Sequence, residues 1–147
     1  MSDLIRTVEQ MLALPEGSIT GPRRLDHYVR ARGLVATMLR ERGLSYPQIG
    51  GKLGGRDHST VIFAVRRYPD YAAVDPNLER VRALFNPNEP LILSVRHARE
   101  QWVRDRNKAV IADIKRNQPP IRIMKRHRLS ITAYEQLAAQ VRNGLAA

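Results

Sequence analysis

The sequence predicts an all-α protein, and three features support that fold class. No stretch of useful length alternates between apolar and polar residues, as a half-buried β-strand would. Apolar residues instead recur at three- and four-residue spacing, which is the pattern of a helix with one buried face. Proline, glycine and capping residues separate these segments, so we expect a series of distinct helices.

The first two helices are predicted from their apolar stripes. In the first helix the stripe consists of Leu4, Ile5, Val8, Met11 and Leu12. Pro15 and Gly17 end this helix, and a loop with a pair of arginines follows. The second helix is predicted from about Tyr28 to Arg42, and its stripe consists of Leu34, Val35, Met38 and Leu39. We expect its four arginines to lie outside the stripe, namely Arg30, Arg32, Arg40 and Arg42.

Two further helices are predicted on either side of a glycine turn. Ser45-Tyr-Pro-Gln48 has the pattern of a capping box, so a short helix should begin there. Gly54-Gly55 should form the turn. Asp57 precedes the next helix, which is predicted over residues 58 to about 68. Helix, tight turn and helix together predict a helix-turn-helix.

A linker is predicted between two regions of the chain. Asp75-Pro76 should begin a last helix of the first region, because proline is favoured at the first helical position. Residues 86–90, NPNEP, have the composition of a linker. We therefore expect a helix-turn-helix domain over residues 1–86, which folds as a fragment ending near Pro87, and a basic helical region over residues 87–147.

The C-terminal region is predicted to contain a long helix and one or two short ones. The long helix should run from about Ser94 to Asn117, and Pro119-Pro120 breaks it. Thr132-Ala-Tyr-Glu135 has the spacing of a capping box before the last helix. Leu-Ser precedes a predicted helix both at 44–45 and at 129–130. The region is therefore either a second helix-turn-helix or a module that binds a partner.

The charge balance is typical of a protein that binds nucleic acid. The chain has 25 lysine and arginine residues against 14 acidic ones, and its net charge is +11. Most of the basic residues are arginine, which suits contacts with phosphate and with base edges. The last 61 residues are the more basic part, with 12 basic and 5 acidic residues. A basic protein without a polyanionic partner, or one that binds anionic membranes, is the alternative.

The sequence contains no feature that predicts insertion into a membrane. No apolar run approaches the roughly 18 residues that a membrane-spanning helix requires. Asp3 and the helical pattern at the N-terminus argue against a secretory signal. We therefore expect a cytoplasmic, nucleoid-associated protein without membrane contact.

Support for catalysis or for a metal site is weak. The chain has no cysteine, and its four histidines are spread along it without the spacing of metal ligands. Asp57, His58 and Ser59 are the residue types of a hydrolytic triad, but consecutive residues at a helix start point about 100° apart. We expect no catalytic residues, no metal, no cofactor and no enzymatic activity.

Three segments resemble one family of DNA-binding domains. Residues 54–61, GGRDHSTV, resemble the family signature GGRDHTTV, and residues 44–50, LSYPQIG, resemble LSLPEIG. Arg30-Ala-Arg32 stands where the family has Arg-Pro-Arg. The family is the C-terminal DNA-binding domain, domain IV, of the bacterial replication initiator DnaA. The resemblance covers about residues 2–85.

The resemblance implies a set of DNA-binding residues. The start of the second helix of the motif would enter the major groove. This group consists of Asp57, His58, Ser59 and Thr60, and Arg56 would lie beside them at a box-like site. Arg30 would enter the minor groove, and Arg32 would contact the DNA backbone. The remaining expected DNA-binding residues are Arg23 and Arg24 in the loop, Ser45 and Arg66.

Two positions stay open at this point. Asp57 is suited to cap its helix and equally suited to contact DNA. Phe63 stands where the family usually has histidine. Its ring could meet a thymine methyl group, pack in the core or face a partner.

The resemblance and the layout of the chain favour a transcriptional regulator. Only Met1 precedes the matching segment, so we expect the ATPase module of DnaA to be absent. A DNA reader with a basic helical tail is similar in layout to small phage-like activators, including those of gene transfer agent clusters. We expect double-stranded DNA as a partner, and RNA polymerase or another regulator as a second partner through residues 87–147. The alternative is a replication-associated factor that occupies initiator boxes and competes with the initiator. An enzyme, a nucleoid protein or an RNA-binding protein has less support.

Overall fold

The computed structural model describes residues 2–144, and its regular elements are all helices. Their bounds are α1 Ser2–Met11, α2 Asp26–Glu41, α3 Tyr46–Lys52, α4 His58–Val74, α5 Pro76–Ala83, α6 Leu91–Lys115, α7 Pro120–His127 and α8 Ile131–Arg142. The predicted all-α class is confirmed. No helix in the described range is both long enough and apolar enough to cross a membrane.

The chain divides into two compact units, Met1–Arg99 and Glu100–Ala147, and the division falls within α6. In the first unit, α2 packs against α1, α3, α4 and α5. The predicted stripe of α2 is buried, and Leu34 and Leu39 are fully enclosed. A central helix of this kind gives the helix-turn-helix a fixed support.

Local capping signals position α3 and α5 as predicted. The Oγ of Ser45 accepts a hydrogen bond from the amide of Gln48 at 3.3 Å, and the Gln48 side chain accepts from the amide of Ser45 at 2.8 Å. The capping box is therefore confirmed. Asp75 caps α5 by accepting from the amide of Asn77 at 3.1 Å, with Pro76 at the first helical position.

Helix α4 is longer than the sequence pattern predicts. It was expected to end near Tyr68, yet it continues through Pro69 to Val74. An internal proline costs a helix about 3 kcal/mol, so packing on both sides of it must compensate. Tyr68 is buried, and the ring of Tyr71 lies so close to Gly33 that a Cβ there would be 2.8 Å from it. These contacts hold the helix together beyond the proline.

The predicted linker at residues 86–90 is held in place by hydrogen bonds. The guanidinium of Arg42 donates to the carbonyl oxygens of Glu89 at 2.7 Å and of Asn86 at 2.9 Å. The amide of Asn86 donates to the Oγ of Ser94 at 2.9 Å. Composition alone did not reveal these partners, because Arg42 lies more than 40 residues away.

The first turns of α6 belong to the core of the first unit. Val95 and Ala98 are buried there, and Arg99 donates to the Oγ1 of Thr7 at 2.6 Å. The compact unit therefore extends to Arg99, whereas the predicted domain ends at residue 86. As a boundary of independent folding, residue 86 stays a prediction.

The second unit has a small apolar core of its own. Val110, Ile123 and Leu137 are buried together, one from each of α6, α7 and α8. Two short helices after the long one are therefore confirmed. The cap of α8 is Ser130, whose Oγ accepts from the amide of Ala133 at 3.1 Å. The capping box predicted at Thr132 is wrong, because Thr132 lies within the helix.

Candidate nucleic-acid interface

A buried arginine holds the loop between α1 and α2. The Nε of Arg32 donates to the carbonyl oxygen of Ile19 at 2.7 Å. Its Nη2 is close to three more carbonyl oxygens, those of Ser18 at 2.9 Å, Gly21 at 2.8 Å and Arg23 at 2.6 Å. Arg32 is only 6% exposed, so the expectation that it lies outside the buried stripe is wrong. The apolar spacing of α2 could not reveal this role, because the carbonyl acceptors come from a different segment.

Two other charged side chains fix the same loop. The carboxylate of Glu9, which is 3% exposed, accepts from the amide of Ile19 at 3.0 Å. The guanidinium of Arg56 donates to the carbonyl oxygen of Gly21 at 2.5 Å and to that of Leu53. Arg56 therefore joins the loop to the glycine turn of the helix-turn-helix.

The glycine turn itself touches the loop. Gly54 has a φ of +85°, and a Cβ at this position would lie 2.1 Å from the carbonyl oxygen of Thr20. Both the backbone conformation and the close approach therefore require glycine. The two glycines of the GGRDH segment have positive φ values, as the predicted turn requires.

The first residues of α4 form a cluster on the surface around Asp57. The Oγ of Ser59 donates to Oδ2 of Asp57 at 2.7 Å, and Nδ1 of His58 lies 3.1 Å from Oδ1. The hydrogen bond from Ser59, and then the charge of His58, hold the pKa of Asp57 below its usual value. Asp57 occupies the N-cap position of α4, as the capping alternative predicts, but its side chain forms no capping hydrogen bond.

The same geometry does not match a hydrolytic triad. A triad requires the histidine to lie between the serine and the aspartate, so that it can accept the serine proton. Here Ser59 donates directly to Asp57, and all three side chains are exposed. The three residues are therefore arranged as polar groups on a helix start.

An open cleft of about 750 Å³ lies between the loop and the start of α4. Arg24, Arg32 and Arg56 line it, and no acidic residue does. Burial, and then the charges of Arg56 and Arg24, lower the pKa of Arg32. Burial, and then the charge of Arg24, lower the pKa of Arg56. The cleft therefore concentrates positive charge next to the polar cluster of α4, which suits an anionic ligand.

The other expected DNA-binding residues lie around this cleft or on the same helices. Arg23, Arg24, Thr60 and Arg66 are exposed. Arg30 is half-buried, and its Nε has no hydrogen-bond partner among the described residues. Ser45 is half-buried and caps α3.

Phe63 lines the cleft and is 58% exposed, so the alternative that it packs in the core is wrong. The guanidinium of Arg67 lies 5.6 Å from the centre of its ring. The sequence pattern did not reveal the contact between Arg67 and Phe63. It also did not reveal that Glu9 and Thr20 take part in the contacts that hold the loop. Within the described range, no group of three or more histidine, aspartate or glutamate side chains could hold a metal ion.

Comparison with known proteins identifies the first part of the chain. Residues 1–67 match the family described as the bacterial DnaA protein helix-turn-helix. The chromosomal replication initiator protein DnaA of Pelobacter propionicus is 35% identical over 77 residues. The corresponding proteins of Acinetobacter baumannii and Acinetobacter baylyi are each 36% identical over 77 residues.

Each of these alignments covers 52% of this chain but only 17% of the relative. No solved structure matches the chain. The signature residues, the glycine turn and the start of α4 all lie within the matched segment. Residues 1–67 are therefore a helix-turn-helix domain of the bacterial DnaA type.

Proposed function

We propose that this protein binds double-stranded DNA at specific sequences through the helix-turn-helix of α3 and α4. The observation that supports this most directly is the cleft with three arginines and no carboxylate beside the start of α4. A helix-turn-helix places the first residues of its second helix against base edges in the major groove. Phosphates of the same duplex then need a basic surface next to that helix.

Each side chain of the interface has a role that fits its surroundings. Asp57, His58, Ser59 and Thr60 are short and exposed, so they can reach base edges without ordering a long side chain. The exposed arginines of the loop and of α4 suit phosphate; these are Arg23, Arg24 and Arg66.

Arg30 and Arg32 have different roles in this proposal. The Nε of Arg30 is buried without a partner among the described residues, so no hydrogen bond from it holds the guanidinium away from the minor-groove role that the resemblance implies. Arg32 uses Nε and Nη2 to donate to main-chain oxygens, so it acts on DNA by positioning the loop. Ser45 keeps a hydroxyl proton that can be donated to a phosphate while its oxygen caps α3.

Selection from a pool of random duplexes tests the proposal. The full chain should enrich one motif and bind it at least a thousandfold more tightly than random duplex at physiological salt, as specific binders do. A variant with Arg24→Gln should lose affinity for both duplexes by a similar factor. The matched control Arg80→Gln removes an exposed arginine of α5 and should have little effect. Enrichment of no motif would contradict sequence-specific binding.

We further propose that the bound protein regulates transcription and contacts RNA polymerase or another regulator through residues 87–147. Trp102 supports this, because its ring is half-exposed in the second unit and Arg106 lies 5.6 Å from its centre. Tryptophan and arginine are enriched among residues that anchor protein interfaces.

The second candidate is a replication-associated factor that competes with the initiator for its boxes. The matches to chromosomal replication initiator proteins favour it. Mapping where the protein binds across a genome distinguishes the two. Occupancy at promoters, with altered transcription of the adjoining genes after Trp102→Ala, supports regulation. Occupancy confined to the replication origin supports the competitor and contradicts regulation.

A further inference from the structure

A second surface with concentrated positive charge lies in the second unit. Arg122, Lys125 and Arg126 line one open groove, and Arg116 and Arg126 both lie near Asp113. With the neighbouring Lys115 and Arg128 they make up the lysine and arginine residues of the segment 115–128, which we call the α7 basic surface. All six side chains are exposed, and residues 115–128 contain no acidic residue. This surface is separate in sequence from the helix-turn-helix of α3 and α4, which ends at Val74.

The carboxylate nearest to this surface is already engaged. Asp113 is buried, and its Oδ2 lies 2.8 Å from Nε2 of His127 and 3.4 Å from Nη1 of Arg126. Its Oδ1 lies 3.8 Å from Nη1 of Arg116. Asp113 therefore fixes α7 against α6 and cannot neutralise the remaining cations. Four of them form no ion pair among residues 3–144, namely Lys115, Arg122, Lys125 and Arg128.

The α7 basic surface adjoins a short turn between α7 and α8. Three residues, 128–130, join α7 to α8, and Arg128 adopts a φ of 54°. Ile123 of α7 and Leu137 of α8 share one core, so the two helices support each other. This is helix, three-residue turn and helix, which is the connectivity of a helix-turn-helix.

We propose that the α7 basic surface binds the phosphates of duplex DNA without reading base sequence. This inference rests on the proposed DNA binding by the first unit. Arginine forks and lysine ammonium groups are the side chains that contact phosphate in such complexes. Because both units are in one chain, binding of the first raises the local concentration of duplex around the second.

The residues at the start of α8 argue against base readout there. The exposed positions of its first five residues are Ile131, Thr132 and Glu135. A carboxylate at this place repels phosphates, and the α4 start has none beyond Asp57, which is bound by Ser59 and His58. The surface therefore supplies phosphate contacts rather than sequence discrimination.

An anionic membrane is a weaker candidate for the same surface. Peripheral binding to lipid needs an apolar face as well as basic charge. In the described part of the second unit, only Ile121 and Ile131 are large apolar side chains that are well exposed, at 73% and 67%. Two isoleucines give too small an apolar face.

Salt dependence of binding tests the proposal with the full chain. Each neutralised phosphate contributes about 0.9 to the slope of log affinity against log salt. The variant Arg122→Gln/Lys125→Gln/Arg128→Gln should therefore reduce the magnitude of that slope by about 2 to 3. Its matched control is Arg104→Gln/Lys108→Gln/Arg142→Gln, which removes the same charge from exposed positions of α6 and α8. The control should lower the slope by less than about 1.

Two duplexes and one vesicle are the probes. The expected result is an equal loss of affinity for the selected duplex and for random duplex, with their ratio unchanged. An unchanged slope, an equal drop in the control, or a loss confined to the selected duplex would overturn the proposal. The proposal would also be overturned if the variant lost binding to vesicles containing phosphatidylserine while the salt slope on DNA stayed the same.

Two further comparisons keep the result unambiguous. If circular dichroism shows that the triple variant has lost helix, Arg122→Gln/Lys125→Gln replaces it, because it leaves the turn unchanged. The expected drop in slope is then about 2. If the unmodified chain binds no duplex at all, the proposed DNA-binding function fails. If the chain binds duplex and the variant binds identically, only the α7 basic surface is wrong.

Discussion

The Nε of Arg32 donates to the carbonyl oxygen of Ile19 across 2.7 Å, and this bond joins the central helix to the loop that carries Arg23 and Arg24. Arg32 is buried in the core of α2, whereas the loop borders the cleft beside α4. A residue predicted to contact DNA thus has its Nε and Nη2 engaged with main-chain oxygens inside the protein. We therefore expect Arg32 to affect DNA binding through the position of this loop.

Replacement of Arg32 should therefore destabilise the first unit and also weaken DNA binding. Arg32→Met leaves four main-chain oxygens without their donor and should lower the free energy of unfolding by about 3 kcal/mol. The control Arg40→Met removes an exposed arginine of the same helix and should cost less than about 1 kcal/mol. Urea denaturation measures both. Equal costs would contradict the positioning role.

His58→Ala should reduce specific binding by about 1–3 kcal/mol and relax discrimination at one or two base pairs. The imidazole is exposed at the start of α4, where a helix-turn-helix meets base edges. His97→Ala removes another exposed imidazole, on α6, and serves as the control. Titration against the selected duplex and random duplex separates the effects. An equal loss on both duplexes would mean that His58 does not read bases.

Arg30→Ala should cost most affinity on sites with an A·T-rich flank. A narrow A·T minor groove has enhanced negative potential and attracts an inserted arginine. The Nε of Arg30 is buried and has no hydrogen-bond partner among the described residues, so no bond from this atom fixes the guanidinium to the protein. The measurement compares wild type and variant on duplexes that differ only in the flank. A loss independent of flank composition would contradict the minor-groove role.

Shortening the chain to Pro87 should destabilise the first unit, whereas a fragment ending at Arg99 should keep its stability. The shorter fragment loses Val95, whose full burial contributes about 1.5–3 kcal/mol, and it also loses Ala98. It further lacks the Ser94 hydroxyl that accepts from Asn86. Thermal unfolding of the two fragments tests this. Identical midpoint temperatures for the two fragments would contradict this prediction and would support a domain boundary at residue 86.

Acid should weaken the second unit through Asp113. The hydrogen bond from His127, and then the charges of Arg126, His127 and Arg116, hold the pKa of Asp113 below its usual value. A carboxyl whose pKa is depressed by folding stabilises the protein above its unfolded pKa of about 4, and that contribution is lost as pH falls through the folded value.

Asp113→Asn should therefore lower stability at neutral pH and reduce its further fall below about pH 4. The fluorescence of Trp102, which lies in the same unit, reports the transition. Asp105→Asn changes an exposed aspartate of α6 and is the control. A pH dependence that is the same for Asp113→Asn and for the unmodified chain would contradict this assignment.

Local patterns predicted most of the fold, and distant contacts account for what they missed. The stripe with Leu34 and Leu39 is visible within two turns of one helix, and the Ser45 capping box within four residues. The contact of Arg99 with Thr7 joins residues 92 positions apart, which no local pattern encodes. For this reason the sequence pattern predicts a boundary at residue 86, whereas the compact unit includes the first turns of α6.

In the candidate site, too, a local motif predicts one part, and contacts between distant segments form the rest. The GGRDH signature identified the residues at the start of α4, because that motif is continuous in sequence. The support of the loop is discontinuous, since Glu9 and Arg56 reach it from both sides along the chain. Exposure of Phe63 also depends on tertiary packing, so sequence reasoning had to leave its surroundings open.

The approach of Gly54 to Thr20 has a consequence for the kinetics of association. The glycine turn and the loop between α1 and α2 are in contact through main-chain atoms, and Arg56 forms a hydrogen bond between them. Because each holds the other in place, both are already ordered before a duplex binds. A surface that is already ordered loses little conformational entropy on binding. Encounter should then proceed in one step, at a rate governed by electrostatic attraction and reduced by salt, with no slower rearrangement after it.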